Sequence, residues 1–231
     1  MKKTHLSLAL VMLFTVAVIS SYAQKKEDRD VGSFTSIGFA ISGELYLTQG
    51  SPQKVVVEGD EADLEKLITE VKDGALKIKC KPSNTKFKST VKVWVTVPEI
   101  EGLAVAGSGK VIAEGEIKSD DFDLAVSGSG KINFANLNVD DLELAISGSG
   151  DIMLAGGADR AEIAISGSGD VEATGFEIER CEIAISGSGS CKVNVVEELE
   201  ASISGSGKVY YKGRPKIDAH TSGSGSVESL E

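Results

Sequence analysis

From Leu103 onward, apolar residues alternate with polar or small ones, and the alternation restarts after a Ser-Gly-Ser-Gly turn about every twenty residues. The turn begins at Ala106 (as Ala-Gly-Ser-Gly), Ser127, Ser147, Ser166, Ser186, Ser204 and Ser222. Period two puts successive side chains on opposite faces of a strand. Before each turn, three columns are therefore predicted to point inward. They run through Phe122, Leu142, Ala161, Cys181, Leu199 and Ile217, through Leu124, Leu144, Ile163 and Ile183, and through Val126, Ile146, Ile165, Ile185 and Ile203. After the turn, Val111, Ile132, Ile152, Val171, Cys191, Val209 and Val227 form a fourth. The opposite face carries Asp123, Glu143, Glu162, Glu182, Glu200 and Asp218, beside a column of Ala104, Ala125, Ala145, Ala164, Ala184 and Ser202.

Like residues recurring at one place in each repeat suit coils that stack roughly 4.8 Å apart. Propeller blades need about twice this period, leucine-rich repeats need Leu and Asn columns, and helical repeats need a 3.6-residue pattern. None is found in the sequence, which leaves a right-handed parallel β-helix of about seven repeats over residues 99–231. The turns read as corners. Alternate glycines would supply positive φ, and the serine hydroxyls would bond to adjacent backbone.

Residues 34–98 read as a smaller β-rich segment of different texture. Phe39-Ala40-Ile41, Glu44 to Leu47, Val55 to Val57 and Val91 to Val97 are strand-like. Asp60 to Leu67 predicts one or two helical turns with Asp60 as N-cap, and Asp73-Gly74 lies between alternating segments as a hairpin signal. Trp94 falls on the polar side of its strand and reads as a packing residue rather than a ligand platform.

The start of the chain reads as an address. Lys2 and Lys3 precede an apolar run, Leu6 to Ile19, and Ser21-Tyr22-Ala23 offers a cleavage site, so residues 1–23 are expected to be a secretory signal and 24–33 a flexible N-terminus. No other stretch is apolar for long enough to span a bilayer as a helix. Cleavage would remove two lysines and no acid, moving the formal charge from -11 to -13. That balance argues against nucleic acid or an anionic membrane surface as partner. Cys80, Cys181 and Cys191 are too few for a disulfide scaffold, and the last two read as buried apolar residues, with a mutual disulfide as the minor alternative.

The Phe34-to-Ile41 strand, Glu58-Gly59-Asp60, the Lys72-to-Ile78 hairpin, the Val93-to-Pro98 strand and the repeated Ser-Gly-Ser-Gly together resemble the auto-transporter adhesin head GIN domain family of Bacteroidetes envelopes, formerly a domain of unknown function. The resemblance covers nearly all of the chain after the signal. It implies a secreted β-helical protein with an adhesive role and carries over no catalytic or ligand-binding residue.

The glycine-rich corners lack the Lys-Ser/Thr ending and the helix of a phosphate loop. Only two corners continue into Asp, at Asp151 and Asp170, and their spacing is not the nine-residue repeat of calcium-binding β-rolls. His220 is the one histidine beyond the signal and lies in a degenerate last repeat, so triad chemistry has little to draw on. No cofactor or metal is expected. Two readings of the acidic ladder stay open: a solvated face screened by lysines and counterions, or a face that recruits divalent cations or a basic partner. The overall expectation is a non-enzymatic protein exported to the periplasm, the outer-membrane surface or the medium. It would serve surface recognition of a protein or glycan, or act as an envelope structural element. The alternatives are a carbohydrate-active β-helix enzyme and a periplasmic partner in envelope signalling or assembly.

Overall fold

The computed structural model describes residues 24–83 and 85–230. The expected signal at 1–23 lies outside the described residues. The stretch expected to be a flexible N-terminus instead forms β1 (Lys25–Arg29), whose charged KKEDR pattern has no apolar side to betray a strand. Then follow β2 (Ser36–Ala40), β3 (Gly43–Gln49) and β4 (Lys54–Gly59). A single helical turn, α1 (Glu61–Leu64), is capped by the Asp60 side chain accepting from the Ala62 amide at 3.0 Å. Next come β5 (Leu67–Lys72) and β6 (Ala75–Cys80), joined through Asp73 at φ 53° and Gly74 at φ 75°, as the Asp-Gly signal predicts. The first half ends with β7 (Val91–Val97), β8 (Gly102–Gly107) and β9 (Lys110–Ala113).

The order of these strands in space is not their order in sequence. β2 lies between β6 and β8, and β3 between β7 and β9, all parallel. The chain therefore lays its second coil first, drops below it, and returns to the other side. The lower end is closed by antiparallel strands: β5 on β6, then β4 on β7 with β1 outside it. Fully buried Asp63 on α1 ties in the loop before β7 by accepting from the amides of Lys88 at 2.7 Å and Ser89 at 3.3 Å.

Above this base the coils stack in sequence order. β10 (Ile117–Gly128), β11 (Lys131–Gly148), β12 (Asp151–Gly167), β13 (Asp170–Gly187) and β14 (Ser190–Gly205) pair in parallel, each with the next. β15 (Lys208–Lys212) continues the part of β14 after the corner, β16 (Lys216–Gly223) the part before it, and β17 (Ser226–Ser229) stacks on β15. The long strands bend midway, where register shifts between Phe134 and Leu137 and between Met153 and Ala155. The result is a β-solenoid of about six turns rather than about seven, because seven corners bound only six coils.

The four predicted inward columns are buried up to Val209, with Ile165 at 2 % exposure and Cys191 at 0 %. Their last members depart from the expectation, Ile217 being exposed and Val227 half-buried in the last described coil, which has a neighbour on one side only. The corner glycines differ from the expectation. Only the first of each pair has positive φ, as at Gly148 (122°) and Gly167 (125°). The second is required by proximity: a Cβ on Gly169 would lie 2.5 Å from Ile146 Cγ2 and 2.7 Å from the Gly150 carbonyl oxygen. The corner is held by main-chain amides, such as Ser168 to the Gly148 carbonyl at 2.8 Å, and the Ser108 hydroxyl of the first corner meets that of Ser42 at 2.9 Å rather than the backbone.

Cys80, Cys181 and Cys191 are buried free thiols. Burial pushes Cys181 up to about 12 and Cys191 well above the usual thiol range. A thiol so shifted holds almost no thiolate at neutral pH, and thiolate is the nucleophile. Folded protein is accordingly expected to leave both unreactive towards a disulfide reagent at pH 8, with reaction released in guanidinium. Fast labelling of either before unfolding would contradict their burial.

Candidate functional site

The six ladder carboxylates are brought together as the periodicity predicts. Asp123, Glu143, Glu162, Glu182, Glu200 and Asp218 are successive partners across the coils, and all face solvent. They lie within a wider pattern, since outward residues two apart form neighbouring columns on the same face. On one side runs Asp121, Asp141, Arg160, Arg180, Glu198 and Lys216. On the other run the Ala125-to-Ala184 column, ending in Ser202 and His220, and then the corner serines from Ser127 to Ser222. Across about 20 Å the face thus grades from charged to small and flat.

The mixed column is internally paired. Arg160 grips Asp141 with two parallel bonds, Nε to Oδ1 at 2.5 Å and Nη2 to Oδ2 at 2.7 Å, which holds the Asp141 carboxyl below its ordinary range. Arg180 donates to Glu197 at 3.2 Å, and Lys216 to Glu198 at 2.8 Å. Among the described residues no ladder carboxylate lies in a salt bridge of its own. Nor does any group of three or more acids, cysteines or histidines converge as a metal would need. One carboxylate per coil gives neighbours on a line, whereas calcium takes six to eight oxygens around a point.

Beside the ladder, the alanines and serines floor an open trough of about 550 Å3, bounded by Ala125, Ser127, Ala184 and Ser204. Its floor is almost wholly apolar because the column beside the ladder presents bare alanine methyls. A second depression, of about 660 Å3, lies at the midway bend where Gly156-Gly157 leave a gap between Asn138 and Glu177. It is rimmed by a further acidic column, Asp120, Asp140, Asp159 and Glu179, which the sequence carries one residue before the mixed column and which was not singled out there. Trp94 is a packing residue, as expected. Its ring stacks on Tyr46 at 5.5 Å, and Lys26 Nζ lies 4.2 Å from its centroid. His220 is exposed on β16.

Residues 33–215 match the family described as "Putative auto-transporter adhesin, head GIN domain". Among solved structures, the fold resembles a "putative adhesin" from Bacteroides fragilis, 26 % identical with a TM-score of 0.86, over 91 % of this chain and 98 % of that one. A "putative lipid binding protein" from Parabacteroides distasonis is 26 % identical with a TM-score of 0.76, over 90 % and 97 % of the two chains. A "putative adhesin" from Parabacteroides merdae, 24 % identical at a TM-score of 0.72 over 90 % and 96 %, shares the fold. No curated protein matches the sequence. None of these labels is that of an enzyme, and no helix among the described residues is long and apolar enough to cross a membrane.

Proposed function

Because the chain belongs to the family of auto-transporter adhesin head GIN domains, we propose that it is an exported, non-enzymatic recognition protein that binds an extended surface partner, protein or glycan, along the Ala/Ser trough. The observation that carries this reading is the trough itself. It is a flat apolar strip crossing several coils, flanked on one side by carboxylates and on the other by serine hydroxyls. A flat strip offers close approach to a long, regular ligand, and the polar columns at its sides supply hydrogen-bond acceptors and donors for register. The ladder adds a negative field that favours neutral or basic partners. A lipid is the second reading, favoured by the apolar floor and by the label of the Parabacteroides distasonis protein.

The test is a binding screen of the full chain against host matrix proteins, glycans and neutral lipid vesicles. Each positive is then repeated with Ala145→Arg/Ala164→Arg/Ala184→Arg. These alanines are exposed, so the coil should stay folded while the trough is filled. Affinity for the true partner should fall at least about tenfold. Binding that survives in the triple variant would move recognition to another face, and no binding in any arm would favour the structural-element reading.

A further inference from the structure

We propose that the open edge of β16 is a self-association surface, on which β16 of a second copy adds antiparallel about Ala219. The two ends of the solenoid are treated differently. At the lower end, antiparallel β5, β4 and β1 shut the stack, and the outermost, β1, is charged along its length. Such devices keep a sheet from pairing with another chain. Among the described residues, β16 pairs only with β14, and every one of its eight residues is exposed. No proline, bulge or inward charge blunts it. Ile217 stands in a core column, yet it is 41 % exposed where its coil neighbour Leu199 is at 0 %.

The strand is complementary to itself. An antiparallel pair centred on a residue keeps inward side chains facing inward ones. Centring on Ala219 overlaps the strand from 216 to 222 and sets Asp218 opposite His220 of the second copy, and His220 opposite its Asp218. Ile217 then meets Thr221 over the open core, and Lys216 meets Ser222. Centring one residue earlier would put Asp218 against itself and Lys216 against His220; one residue later would put His220 against itself. The His220 register overlaps as many residues, but only the Ala219 register sets each Asp218 opposite an imidazole rather than a like group or a serine, and cross-strand pairs of opposite character stabilise while like charges repel.

Sedimentation equilibrium of the full chain across the micromolar range should find a reversible dimer. His220→Asp places two carboxylates opposite each other twice over and should weaken it about tenfold or more. Asp218→Lys/His220→Asp restores an opposite pair in the same register and should bring affinity back to within about threefold of the parent. Both sites are exposed, so circular dichroism and the thermal transition of dilute protein should match the parent. A chain that stays monomeric, or a dimer indifferent to both variants, would overturn the proposal. Neither result bears on recognition at the trough.

Discussion

Ile165→Asp should unfold the repeat region or drive it to aggregate. Ile165 is 2 % exposed, lies between Ile146 and Ile185 in the coils on either side, and has no polar partner within the core. An unpaired carboxylate there costs on the order of 5 kcal/mol. That rivals the whole stability of an ordinary domain, about 5–15 kcal/mol. Each coil's inward surface is shared with both neighbours, so the damage does not stay within one turn. Glu162→Gln, three residues away on the outward face, should shift stability by no more than about 0.5 kcal/mol. Thermal melts followed by circular dichroism separate the two, and an unchanged transition in Ile165→Asp would contradict the packing described.

Gly167→Ala should be nearly as damaging, for a backbone reason. Gly167 has φ 125°, and a Cβ there would fall on the carbonyl oxygen of Gly148 in the coil below. Neither the strained dihedral nor a main-chain atom held in the stacking ladder can yield cheaply, and the loss should be about 3 kcal/mol or more. Gly175→Ala is the control. Its Cβ would meet the Ala155 Cβ at an ordinary 3.5 Å, and the change should be within about 1 kcal/mol of neutral. Equal melting temperatures for the two variants would show that the corners are not tight stacking points.

What made the interior legible was repetition. A single period-two stretch cannot say which face is buried, but aligned copies gave columns of Leu, Ile and Val opposite columns of Glu and Ala. Coils stacked in register can bury only the apolar set. The same logic placed the ladder, because a residue's position within its repeat is its position on the surface. Asp73-Gly74 and Asp60 were legible for a different reason, since their turn and cap chemistry is local.

The rest depended on contacts between residues far apart in the chain. Nothing in Ser36–Ala40 or Ala75–Cys80 says that the later strand stacks below the earlier one. That order follows from closing an otherwise open sheet end with β4, β5 and β1. β1 was missed because an edge strand that meets solvent needs no apolar side, and its charges find Glu61 and Trp94 only in the folded base. The second glycine of each corner looked like a dihedral requirement and proved to be a clearance requirement, set by a Phe, Val or Ile one coil away. Likewise the trough and the Arg160–Asp141 clasp exist only once coils lie side by side. The sequence alone determined the coil, its inward and outward faces and its corners, because those are repeated local patterns. Tertiary structure decided the order of the first coils, which end is closed and what the outward columns form together, because these depend on neighbours that only stacking supplies.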